Sequence, residues 1–116
     1  MFRLNSLDGQ SWEEVWNAPR ALILLGKTDC PACHAWSAEL DEKLADASVC
    51  ADVVFGKLTL DQPGLGSFKK AHPEILAAAS DLPFNLLLID GQVVKQWFGG
   101  GWERFENRLR RAMEVV

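Results

Sequence analysis

Apolar positions recur along this chain with two different periods, and the switches between them mark out its elements. Ala21-Leu22-Ile23-Leu24-Leu25 is an unbroken apolar run, the pattern of a strand covered on both faces, and Gly26-Lys27-Thr28-Asp29 reads as the loop that leaves it. Between Cys33 and Ala47 the apolar residues Trp36, Leu40 and Leu44 return every four positions among Glu39, Asp41, Glu42 and Lys43, which predicts a half-buried amphipathic helix. Val53 to Leu60 predicts a second strand, turned out by Asp61-Gln62-Pro63-Gly64. Leu65 to Ala71 and Glu74 to Ser80 predict helices broken apart at His72-Pro73, because a residue before proline avoids helical dihedrals. Asn85 to Ile89 and Gln92 to Phe98 predict two strands joined by the hairpin signal Asp90-Gly91. Gly99-Gly100-Gly101 then frees the backbone before a final helix from Trp102 to about Val115, with Phe105, Leu109, Ala112 and Met113 as its apolar stripe.

The order is an N-terminal piece followed by β-α-β-α-β-β-α, an α/β arrangement. With 116 residues, 48% of them hydrophobic, and no repeat, linker or low-complexity tract, the chain predicts a single domain over 1–116 with one substantial core. A formal charge of -4 argues against nucleic-acid or anionic-membrane partners. Arg104, Arg108, Arg110 and Arg111 make one locally basic helix, read here as a solvated face. No apolar run is long enough to cross a bilayer, and Met1-Phe2-Arg3-Leu4-Asn5 lacks the pattern of an export signal, so the expected location is cytoplasmic. Trp12, Trp16, Trp36, Trp97 and Trp102 predict core or rim packing, with Trp36 close to the surface of its helix.

The chemistry concentrates at Cys30-Pro31-Ala32-Cys33, at the start of the first central helix. Pro31 suits the first helical position, which leaves Cys30 just before the helix, facing unpaired backbone N–H groups that favour a thiolate. Cys30 is therefore the candidate nucleophile, and Cys33, one turn further in, the candidate resolving thiol. In a reducing compartment such a pair is redox-active or metal-binding rather than structural, and Cys50 reads as a packing cysteine. Three other readings compete. Cys30 to His34 matches the CxxCH haem-attachment motif, with Met113 or His72 as conceivable distal ligands. Zinc would have to be held from among Cys30, Cys33, Cys50, His34 and His72, without a second CxxC. The third reading is a docking module without chemistry. No glycine-rich nucleotide motif is present, so no bound cofactor is expected, and electrons would come from a separate reductase or small thiol.

These residues together resemble the thioredoxin family. The resemblance rests on the apolar strand entering Cys30-Pro31-Ala32-Cys33, on Leu40-Asp41-Glu42, on Lys57-Leu58-Thr59-Leu60-Asp61-Gln62, on Pro83 before a strand, and on Asp90-Gly91-Gln92-Val93, from about Ala21 to the C-terminus. It implies a central mixed β-sheet flanked by helices, thiol-disulfide exchange with protein partners, a role in cell redox homeostasis, and a cis bond at Pro83 facing the cysteines. Leu82, Pro83 and Phe84 would then bind substrate by short strand-like pairing.

The departures bear on reactivity. Asp29 stands where the family carries tryptophan and would oppose thiolate formation at Cys30, while Pro31-Ala32 replaces the Gly-Pro dipeptide that helps set the potential. Leu24 stands where the family often has a buried aspartate, which deprives Cys33 of a general base and Lys57 of its partner. The Lys57 ammonium should then reach solvent or another carboxylate. His34 should lie at the surface and tune Cys33. The segment from Asp61 to Pro83 exceeds the thioredoxin pattern by about two helical turns and adjoins the substrate loop.

Overall fold

The computed structural model describes residues 3–114, so the expected end of the last helix at Val115 lies outside the described residues. Its elements are β1 (Leu4–Ser6), α1 (Trp12–Trp16), β2 (Arg20–Gly26), α2 (Pro31–Leu44), β3 (Val54–Thr59), α3 (Gly66–Ala71), α4 (Pro73–Ala78), β4 (Phe84–Ile89), β5 (Gln92–Phe98) and α5 (Trp102–Glu114). The strands form one mixed sheet in the order β1-β3-β2-β4-β5. β1 and β2 run parallel to β3, while β4 runs antiparallel to both β2 and β5.

The unbroken apolar run of β2 is divided between two cores by the two-residue period of a strand. Ala21, Ile23 and Leu25 join Trp12, Val15, Trp16, Phe68 and Ile75 on the face covered by α1, α3 and α4. Leu22 and Leu24 join Trp36, Leu40, Leu44, Phe105 and Ala112 on the face covered by α2 and α5. β4 divides likewise, with Leu86 and Leu88 on the first face and Leu87 on the second. The strand at the centre of the sheet is therefore fixed from both sides, and so is the point at which it releases the chain toward Cys30.

The breaks fall where local chemistry places them. His72, with φ -132°, separates α3 from α4 and leaves Pro73 at the first helical position. Its ring stacks on Trp16 at 4.0 Å, and Nδ1 lies 3.0 Å from Glu74. Asp90 and Gly91 both have positive φ, 52° and 80°, which matches the right-handed twist of the β4–β5 hairpin. α5 begins without a local side-chain cap. Instead Glu39 on α2 accepts the Trp102 N–H at 2.7 Å, satisfying one orphan donor and tying the two helices together.

Two features depart from the pattern read along the chain. The N-terminal piece contains β1 and α1, which are too short for periodicity to reveal: β1 buries only Leu4, and α1 is a five-residue helix holding Trp12, Val15 and Trp16 inward. Trp36 does not lie near its helix surface. It is buried at 2% exposure, and its indole N–H donates to Asn85 Oδ1 at 2.8 Å.

Asn85 is fully buried, and its amide NH2 donates to the carbonyls of Trp97 at 3.3 Å and Gly99 at 2.8 Å. Replacing it with alanine would leave an indole N–H and two carbonyls without their partner in a dry core. Asn85→Ala should cost about 2–4 kcal/mol, read as a lower urea midpoint at unchanged slope.

Candidate active site

β2 ends at Gly26, and the loop from Lys27 to Asp29 delivers the chain to α2. Cys30 caps that helix with extended backbone, φ -113° and ψ 99°, and its Sγ accepts the Cys33 N–H at 3.2 Å. Pro31 follows at the first turn, where its missing N–H costs nothing. Cys30 and Cys33 are joined by a disulfide, with Cα atoms 5.2 Å apart. Cys30 is half-buried and Cys33 is buried, so one sulfur faces outward and the other is shielded by the sheet.

Gly26 makes room for the inner sulfur. A Cβ at that position would stand 3.0 Å from Cys33 Sγ and 3.1 Å from Cys33 Cβ, contacts that force one of them to move. Behind Cys33 lies a cavity of about 180 Å³ lined by Leu24, Cys33, His34, Ser37, Lys57 and Thr59. Leu24 is fully buried, so the inner face of the site presents an aliphatic side chain. Lys57 is half-buried, and among the described residues its ammonium has no hydrogen bond or ion pair.

In front of Cys30 opens a cleft of about 790 Å³. Leu60, Leu76 and Leu82 give it apolar walls, and Asp29, Lys27 and Lys69 stand on its rim. Leu76 and Lys69 come from α4 and α3, so the lengthened segment between Asp61 and Pro83 forms one side of this cleft. The Leu82–Pro83 peptide bond is cis. Pro83 is buried, and its carbonyl accepts the Gly99 N–H at 2.8 Å. Phe84 turns into the core, 2% exposed, with its ring centroid 5.0 Å from that of Phe98. Of the three predicted substrate-loop residues, Leu82 is the one whose side chain lines the cleft.

The remaining expected residues separate by surroundings. Asp29 is exposed and free of hydrogen bonds among the described residues, while Pro31 lines the cleft and Ala32 faces a shallow groove beside Trp36 and Gly100. His34 is exposed, with Nε2 2.6 Å from the Thr28 carbonyl. A carbonyl can only accept, so that nitrogen carries the proton. Thr28 in turn donates its N–H and hydroxyl to Asp61, at 3.1 and 3.0 Å. These bonds, the backbone one foremost, hold the Asp61 carboxyl below its ordinary value. Asp61, Thr28 and Gly26 were not singled out by sequence reading; the glycine at a strand end was the available signal for a close approach.

Cys50 and His72 are not brought to this site. Cys50 lies beyond the far end of α2, and burial, followed by the charges of Asp52 and Glu106, pushes its thiol pKa up. His72 lies among Trp12, Trp16 and Phe68. Among the described residues no group of three or more His, Cys, Asp or Glu side chains could hold a metal ion.

This mixed sheet flanked by helices, with a CxxC at the start of α2, is the thioredoxin-like fold. The match to solved structures extends over nearly the whole chain. A spinach chloroplast thioredoxin f superposes with a TM-score of 0.74 at 17% identity, covering 96% of this chain and 94% of that one. A thioredoxin from Nicotiana alata gives 0.72 at 18%, covering 95% and 92%. Mitochondrial thioredoxin 3 of Saccharomyces cerevisiae, in its oxidised form, gives 0.68 at 17%, covering 93% and 94%. The sequence itself matches no protein-family model and no curated protein.

Two predictions follow from this geometry. Gly26→Ala should lower stability by about 1–3 kcal/mol, because the new methyl displaces Cys33 within packed surroundings; thermal melts of the oxidised protein read this. Because the Asp61 carboxyl is depressed on folding, its stabilising contribution is present above the unfolded aspartate value and is lost as pH falls through the folded one. Asp61→Asn should therefore flatten the acid limb of the stability-pH profile, measured by urea unfolding from neutral pH downward.

Proposed function

We propose that this domain is a thiol-disulfide oxidoreductase that exchanges disulfides with protein partners. The observation that carries the reading is the placing of the pair: an outward sulfur capping a helix beside an open cleft, and a buried sulfur one turn behind it, within bonding distance. In the reducing direction the Cys30 thiolate attacks one sulfur of a partner disulfide. A mixed disulfide forms and the partner's other sulfur leaves as a thiolate. The Cys33 thiolate then attacks Cys30 Sγ, closing the intramolecular disulfide and releasing the second partner thiolate. Two electrons pass to the partner, and a separate reductase or small thiol restores the dithiol. Oxidation of partners is the same sequence reversed.

Each neighbouring group acts on one of these steps. The Cys33 N–H that reaches Cys30 Sγ stabilises negative charge there, while exposed Asp29 opposes it through solvent. Leu24 offers no proton acceptor to Cys33, so its proton leaves to water through the cavity shared with His34 and Lys57. Leu82 and the Pro83 turn supply the wall against which a partner segment lies, with Phe84 anchoring it from the core.

The aliphatic Leu24 beside Cys33 also favours a second reading, a docking module with little exchange activity. One experiment separates the two. The protein is equilibrated in graded glutathione buffers, free thiols are alkylated, and each cysteine is read by mass spectrometry. A reversible two-electron transition confined to Cys30 and Cys33 is expected, with Cys50 alkylating slowly throughout. Cys33→Ser should accumulate mixed disulfides with partners, and Cys30→Ser should abolish them. Partner binding that persists unchanged without Cys30 would establish the docking module instead.

A further inference from the structure

α5 carries four arginines and three glutamates, and the helix sorts them by flank. Arg104, Arg108 and Arg111 are spaced i, i+4 and i+7, which places them along one line of the helix. Glu103, Arg110 and Glu114 fall on the solvent face between that line and Glu106, and Phe105 and Ala112 are buried on the other side of it. The like charges feel each other: desolvation first, then the charges of Arg104 and Arg111, lower the pKa of Arg108. Its guanidinium lies over the Trp97 ring, 4.9 Å from the centroid. Lys95 is on the Trp97 face of β5, two residues before it. The ion pairs among the described residues are Arg20 with Asp52 and His72 with Glu74, so among those residues these cations have no carboxylate partner. In a chain of net charge -4, with carboxylates to spare, that is a local excess of positive charge whose internal contacts are carbonyls and a ring rather than carboxylates.

The stripe also has a position. Arg104 lies against the Gly99–Gly101 loop, part of which lines the shallow groove beside Ala32 and Trp36: its Nη1 is 2.8 Å from where a Cβ of Gly99 would stand and bonds the Gly100 carbonyl at 3.4 Å. The Gly99 N–H bonds the carbonyl of Pro83. The cationic line therefore begins at a loop joined by one hydrogen bond to the Pro83 turn and runs from there along α5.

From this continuity we infer that α5 is a docking surface for an acidic segment of the protein partner, lying beyond the partner's exchanging cysteine and seated on Arg104, Arg108 and Arg111. The inference rests on the exchange reading above. A protein occupant is favoured over nucleic acid because the stripe starts at the loop bonded to the proposed peptide-receiving turn, and the overall negative charge repels a long polyanion. Charge complementarity at such a site acts mainly on the rate of encounter.

The test uses two synthetic peptides, each with one disulfide, identical except that a run of glutamates beside the disulfide in one is glutamine in the other. At low ionic strength the reduced protein should react with the acidic peptide about tenfold faster. The difference should vanish at high salt. The exposed double variant Arg104→Glu, Arg111→Glu should lose that advantage while its rate with the neutral peptide changes less than twofold. Equal rates with both peptides in the wild type would overturn the docking surface and leave exchange standing. If neither peptide reacts, exchange itself fails. The surface is then judged by nuclear magnetic resonance titration with a cysteine-free acidic peptide, where perturbed signals at Gly99 to Gly101 and along α5 support it and their absence overturns it. Tighter binding of a single-stranded oligonucleotide than of the acidic peptide would overturn the assignment to a protein partner.

Discussion

One buried amide holds the parts of the site in register. Asn85 lies in the second core with its oxygen on the Trp36 indole and its nitrogen on the carbonyls of Trp97 and Gly99. Trp36 is on the helix that begins at the cysteines, and Gly99 is on the loop that bonds Pro83. A single side chain thus fixes α2 relative to the β4–β5 hairpin, and the disulfide relative to the turn beside the cleft. In a low-dielectric interior these bonds are directional and costly to break, so the arrangement has little freedom to drift. An apolar residue at that position would fill the space without fixing the angle.

The elements that could be read from sequence are those whose pattern repeats. β2, α2, β3 and the β4–β5 hairpin each contain enough residues for a period of two or nearly four to show, and each is found within a residue or two of its expected span, apart from the shorter α2. The break at His72-Pro73 and the turn at Asp90-Gly91 were legible because proline and glycine constrain the backbone locally. β1 and α1 were not, since three and five residues carry no period and owe their form to contact with β3 and the first core.

The site divides the same way. Cys30, Pro31 and Cys33 announce themselves by spacing, and the cap geometry follows from local rules. Asn85, Glu39 and Asp61 were invisible because each works at a distance in sequence: the amide meets an indole 49 residues away, the carboxylate caps a helix 63 residues on, and the aspartate holds a loop 33 residues back. Polar residues acquire such roles only when the fold closes. Phe84 shows the converse, since neighbourhood in sequence to Pro83 does not put its ring in the cleft.

The bond between Cys30 and Cys33 spans only three positions of sequence, which has a consequence for the life of the domain. A crosslink steadies a protein mostly by shrinking the unfolded chain, and a ring this small removes less disorder than a long loop would, about 2 kcal/mol in the loop-entropy estimate. The two large cores, not the crosslink, therefore supply most of the stability. Under the proposed exchange, opening the bond would leave the architecture standing, so the chain would serve as a reusable part, without a refolding event in each cycle.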